Sequence, residues 1–148
     1  MFTKVEEAKW IMGNSFIGID ELKSVPEGFK IKADSIEIPF SVEELSLKKG
    51  THVLIYCPQD FADGTAISIQ SIRTNIEKMG CKTPVFYNQD WYLKEDFYKV
   101  VIERPHWLLL QKTVDDSTRG VLPEKIEAQY YLPIAAELTF AFFCLLFL

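Results

Sequence analysis

A chain of 148 residues, 48% hydrophobic and 14% aromatic, holds enough apolar material for one packed core and is too apolar to be disordered. Its formal net charge of −5 argues against a nucleic-acid partner, which needs a basic face; the small basic cluster at Lys48 and Lys49 does not make one. Cys57, Cys81 and Cys144 fall in no CxxC spacing, which argues against a disulfide scaffold and a zinc site and fits reduced thiols in an intracellular, cytoplasmic protein.

The opening segment "MFTKVEEAKW" has no apolar run after its first charge and does not read as a secretory signal. "KVEEAKWIMG" reads as a short helix that Gly13 ends, with Val5, Ala8 and Met12 on one face. "GIDELKSV" suggests a further helical turn or two before Pro26 and Gly28. In "FKIKADSIEIPF" the alternation of Phe29 with Ile31, and of Ile36 with Ile38, predicts one or two short strands or extended segments. "SVEELSLKKG" carries a capping box, with Ser41 as N-cap and Glu44 three positions on, and Gly50 supplies its stop.

The strongest pattern follows. Residues 51–57, "THVLIYC", form a continuous apolar run of strand formers bounded by Pro58, as in a strand buried on both faces. Residues 67–79 repeat apolar side chains at Ile69, Ile72, Ile76 and Met79, one stripe of a helix that Gly80 ends. Residues 84–87 predict a second strand. Strand, helix and strand make a βαβ unit with parallel strands and a right-handed crossover. Asn88 or Asp90 is a candidate cap for a helix over "WYLKEDFYKVV" with Leu93, Phe97, Val100 and Val101 as its buried stripe. Residues 107–113 predict a third strand, "DDSTRG" a polar turn, and "PEKIEAQYY" a helix begun by a proline. Pro133 starts or kinks a last helix. The expected fold is α/β: a single domain with a small, at least partly parallel sheet flanked by helices. Residues 1–131 form the α/β domain, and 132–148 an apolar C-terminal helix packed on the domain or on a partner.

Parallel sheets bind ligands beyond the carboxyl ends of their strands. The loops leaving the first two predicted strands would then place Asp60, Asp63, Asn88, Gln89 and Asp90 around one crevice, with Trp91 beside them. Trp91 and Tyr92 could stack on a sugar or a base. The simpler reading, and the favoured one, is that Phe86, Tyr87, Trp91 and Tyr92 fill the corner between a strand and a helix. "LIYCPQDFADGT" is similar to the nucleophile loop of haloacid-dehalogenase phosphatases, in which an aspartate two positions before Asp-Gly-Thr attacks phosphorus. Here Asp63, Gly64 and Thr65 are present, Phe61 stands at the nucleophile's position and Asp60 is one residue early. A tight turn with Asp63 or Thr65 as helix cap explains the same residues. His52 and His106 each begin a predicted strand with no Cys, Ser or second His at a telling distance. There is no Gly-x-Ser-x-Gly and no phosphate- or dinucleotide-binding glycine pattern. No metal or cofactor is expected.

From about Ile38 onward the chain resembles a group of uncharacterised bacterial proteins, through "LIYCPQDFADGT", "FYNQDWY", "WLLLQKTV" with its "STRG" turn, and "LPIAAELTFAFF". The resemblance implies no activity and no functional residues. It implies that similar proteins continue past the point matching Leu148, so that this chain is a shortened relative, a fragment, or a protein built differently at its end.

"YYLPIAAELTFAFFCLLFL" is strongly apolar, yet Pro133 and Glu137 interrupt it, and the clean stretch after Glu137 is roughly half of the about 20 residues a spanning helix needs. A buried or partner-covered helix is the favoured reading. Phe140, Phe142, Phe143, Leu145, Leu146 and Phe147 surround that helix, so one flank requires a cover: a second copy, another subunit, lipid, or a further C-terminal region. The contact is expected through Phe140, Phe143, Leu146 and Phe147. The expected function is a non-catalytic binding or assembly module. The alternatives are a hydrolase using Asp60 and Asp63, and a membrane-associated protein held by the last helix.

Overall fold

The computed structural model describes residues 2–80, 90–127 and 131–148. The described residues hold a three-stranded sheet with helices packed against it. Strand β2 (His52–Cys57) is central. It pairs in parallel with the two-residue strand β1 (Phe16–Ile17), Phe16 opposite Leu54, and antiparallel with β3 (His106–Gln111), Cys57 opposite His106. The protein is therefore a small α/β domain with a mixed sheet. Its second predicted strand, 84–87, lies outside the described residues, and the parallel partner of β2 within them is β1.

Helix α1 (Val5–Met12) leads into β1 and turns Ala8, Ile11 and Met12 inward, leaving the expected Val5 exposed. Helix α2 (Val42–Lys48) is capped by the Ser41 hydroxyl, which accepts from the Glu44 N–H at 3.1 Å. The Glu44 carboxylate pairs with Lys48, so one arm of the expected capping box is present. Helix α3 (Ile69–Lys78) starts two residues later than the pattern suggested. Ser68 caps it: its hydroxyl accepts from Ser71 N–H, and its own N–H donates back to the Ser71 hydroxyl. Ile69, Ile72 and Ile76 form its buried stripe. After β3 come the one-turn α4 (Pro123–Glu127) and the apolar α5 (Ala135–Phe147).

Local alternation does not supply a neighbour: of the two alternatives for 29–40 the extended segment forms and the strand does not, and the helix expected over 91–101 fails. The segment 29–40 forms no strand ladder. It makes single bridges, Ile31 to Phe61 and Thr3 to Ile38, and side chains hold it elsewhere. The Tyr56 hydroxyl accepts from Asp34 N–H and donates to Asp34 carbonyl, each at 3.0 Å. Residues 91–101 form two 3-10 turns, Trp91–Lys94 and Asp96–Tyr98, instead of an α-helix. The expected stripe of Leu93, Phe97, Val100 and Val101 is exposed, and Tyr92, Tyr98 and Ile102 are buried in its place. The spacing of those three does not follow one helical face, because the extended Glu95 separates the two turns and Ile102 lies beyond the second.

The core centres on Phe29, which is fully buried. Its ring meets Phe61 edge-on at 5.7 Å, Phe140 at 6.4 Å, Phe143 at 5.8 Å and Phe147 at 5.2 Å. Helix α5 packs on β2, α3 and the Asp96–Tyr98 turn, and its residues Ala136, Phe140, Ala141, Phe143 and Cys144 belong to the same core as the sheet. Phe29→Ala removes the ring that joins three parts of the chain. The substitution should lower unfolding free energy by about 3–5 kcal/mol, read as a fall in the denaturant midpoint at unchanged slope. Trp10→Ala, at a side chain 83% exposed, should move it by less than about 0.5 kcal/mol.

Candidate functional site

The expected crevice residues serve the backbone. Between Asp60 and Thr65 the chain folds back in a tight turn: Asp60 bridges Ala66, the Phe61 N–H donates to Thr65 carbonyl at 2.9 Å, and Gly64 takes a φ of 85° that suits glycine. The Asp63 carboxylate accepts from Thr65 N–H at 2.9 Å, which holds it below the usual carboxylate range. Asp60 is half-buried, and its carbonyl accepts from Lys32 N–H. Phe61, at the position a phosphatase nucleophile would occupy, points into the core against Phe29.

Asp90 is an ion-pair partner. Arg73 on α3 spreads its guanidinium over Glu77 Oε1 at 3.0 Å, Asp90 Oδ1 at 3.0 Å and the Tyr92 hydroxyl at 3.2 Å, with its carbon 5.9 Å from the Tyr92 ring centre. Hydrogen bonds to Glu77, then Asp90, raise the Arg73 pKa further. This fork ties the 3-10 turns to α3. Tyr92 and Tyr98 sit with Ile69 in a small separate apolar cluster. Trp91 lies outside it, 66% exposed, with its ring edge-on to Tyr92 and to Phe97. The aromatic corner is thus divided: Tyr92 is packed, Trp91 faces outward. Asn88, Gln89, Phe86 and Tyr87 lie outside the described residues.

The densest chemistry lies elsewhere, around Glu137, and sequence reading missed it. Glu137 is in the first turn of α5 and only 4% exposed. Its Oε2 accepts from Ile134 N–H at 2.9 Å, and both oxygens lie 3.0 Å from the Tyr131 hydroxyl. Its Oε1 lies 2.9 Å from His106 Nε2 at the start of β3. That approach is off the axis of a good hydrogen bond, so it acts mainly through charge. The His106 Nδ1 donates to Arg104 carbonyl at 2.9 Å. Burial pushes the Glu137 carboxyl up, but His106, the Ile134 N–H and Tyr131 outweigh it and leave the pKa lowered. Glu137 in turn raises the His106 pKa against the effect of burial. Burial, then the Glu137 charge, pushes the Tyr131 phenol up to about 12.

This arrangement is poorly suited to catalysis. Both ring nitrogens of His106 face acceptors, so neither is free to take a proton from a substrate. Cys57 stands beside His106 across the β2–β3 pairing, but burial, then the Glu137 charge, drives its thiol pKa strongly up. Burial pushes Cys144 to about 12. Neither thiol is an activated nucleophile. Among the described residues no group of three or more His, Cys, Asp and Glu is placed to hold a metal ion. An open groove of about 570 Å³ lies between the end of α1 and the end of α5, with Phe16, Ile17, Leu145 and Phe147 on its apolar walls and the Lys9–Glu21 ion pair beside them.

Comparison of the chain with protein families, with curated proteins and with solved structures finds no match. The buried thiols give a direct check of the site's chemistry. In the native protein Cys57 and Cys144 should resist iodoacetamide at pH 8 for hours and react within minutes once unfolded, followed by mass spectrometry of the two peptides.

Proposed function

We propose that this chain is a non-catalytic assembly module whose contact surface is the outward flank of α5, with a second copy of the chain as partner and the cytoplasm as its compartment. The observation that carries this reading is the division of that helix. Phe140 and Phe143, expected at the contact, are fully enclosed by the chain's own core. Leu138, Phe142, Leu145 and Leu146 point outward, Phe142 52% and Leu146 59% exposed. Phe147 is partly buried against the core.

Residues 138, 142 and 145 are spaced by four and three, so they form one stripe. The helix carries one charge, Glu137, and it is buried. An uncharged apolar stripe can meet its own two-fold copy without opposing like charges, and each large side chain withdrawn from water contributes roughly 1.5–3 kcal/mol. The two buried thiols suit a reducing compartment.

A lipid surface is the second reading, favoured by the same exposed stripe. Thirteen helical residues extend about 20 Å, short of the roughly 30 Å hydrocarbon layer, and no helix among the described residues is long and apolar enough to cross a membrane. Such binding would lie along the surface. A hydrolase using Asp60 and Asp63 is the third, and the Asp63 carboxylate's bond to Thr65 N–H weighs against it.

Removing α5 would remove part of the core, so paired surface substitutions make the better test. In sedimentation velocity the unmodified chain should associate with rising concentration, while Phe142→Ser with Leu146→Ser should remain monomeric at an unchanged melting temperature. A chain that stays monomeric at every concentration, and either floats with phosphatidylcholine vesicles or hydrolyses phosphoesters in a manner abolished by Asp63→Ala, would overturn the reading in favour of one of the other two.

A further inference from the structure

Helix α5 is fastened at its two ends by different physics. Its second half is held by the rings of Phe140, Phe143 and Phe147 around Phe29, contacts indifferent to pH. Its first turn is held by Glu137, whose carboxylate gathers Ile134 N–H, the Tyr131 hydroxyl and His106 Nε2.

The geometry favours the charged state of His106. Nδ1 lies 2.9 Å from Arg104 carbonyl and Nε2 2.9 Å from Glu137 Oε1. A carbonyl and a carboxylate only accept, and a neutral imidazole has one N–H. The doubly protonated ring keeps an N–H on the carbonyl and sets its positive charge against the carboxylate. The neutral ring would turn a lone pair either on the carbonyl or on a buried carboxylate, leaving that carboxylate without its cation.

We propose that His106 and Glu137 form a pH-operated latch: protonated His106 holds the first turn of α5 on the start of β3, and its deprotonation frees that turn while the aromatic half of the helix stays docked. The other charged or titratable groups facing the pair, among the described residues, are Tyr131 on the segment before α5, Arg104 on the approach to β3, and Cys57 on β2 with Cys144 near it. Arg104 opposes the imidazolium by its charge, and the effect of Glu137 exceeds it. The tyrosine and both thiols stay neutral across the working range because burial raises all three.

The sign follows from the two directions. His106 is raised above its ordinary 6.5, so its contribution is complete below 6.5 and is lost as pH rises through the folded value. Glu137 is lowered below its ordinary 4.5, so its contribution is complete above 4.5 and is lost as pH falls through the folded value. The latch is closed between those limits.

The test uses the unmodified chain and two readouts. By NMR, His106 should titrate above 6.5, and His52, lowered by burial and by Lys48, below it. Hydrogen exchange, corrected for intrinsic rates, should show protection at residues 135–139 falling between pH 6 and pH 9. The fall should be about tenfold for each unit by which the His106 titration lies above 6.5. Protection at 143–147 should hold. In Glu137→Gln the His106 titration should drop and the difference between the two halves of α5 should vanish. A His106 that titrates at or below 6.5 in the unmodified chain, or two halves of α5 that change together with pH, would overturn the latch.

Discussion

Among the described residues the central strand has one short parallel neighbour and one antiparallel neighbour, and a sheet of three strands cannot enclose a core by itself. What encloses it is the meeting of aromatic rings around Phe29. That residue precedes the irregular 30–40 segment, Phe61 comes from the turn after β2, and Phe140, Phe143 and Phe147 come from the end of the chain. Three regions far apart in sequence are brought together in one contact, and much else follows. Because Phe61 must face inward, the Asp60–Thr65 turn is used for folding. Because Phe140 and Phe143 must face inward, the rotation of α5 about its own axis is fixed.

That rotation has two consequences. It forces Glu137, three residues before Phe140, inside the protein. A lone buried carboxylate is costly, and it is tolerated here because a backbone N–H, a phenol and an imidazole converge on it. The rotation also turns Leu138, Phe142, Leu145 and Leu146 outward. The buried ion pair and the exposed apolar stripe are thus two sides of one packing decision. The first makes the base of the helix sensitive to proton concentration, and the second leaves its flank to be covered from outside the domain.

Legibility followed the range of the interaction. Strand β2 was readable because a run of apolar strand formers between Gly50 and Pro58 suits a buried strand. Helix α3 was readable because Ile69, Ile72 and Ile76 repeat at helical spacing. The 91–101 segment misled because its short apolar pattern was consistent with a helix that no neighbour completed, and in 29–40 the same lack left only the extended alternative. Around the candidate site, Asp63 could be read as a turn residue. The Glu137 cluster was hidden because His106 is 31 positions away. The one available signal was an acid in the first turn of an otherwise uncharged helix, which demands a partner if the helix is buried.

The sequence by itself determined the α/β class, the central strand, the α3 stripe, the cap at Ser41 and the tight turn at Asp63, while the helix cap expected of Asp63 or Thr65 falls to Ser68. Each depends on residues within a few positions of one another, where periodicity and local hydrogen bonding are sufficient. It also determined that the last helix is apolar all round, and so that one flank must look away from the core. Only the tertiary structure decided which flank. It decided, too, that His106 meets Glu137, that Arg73 holds Asp90, and that Trp91 stays outside while Tyr92 is packed. Those outcomes depend on long-range contacts, set by how whole elements pack, and no local pattern in the chain encodes them.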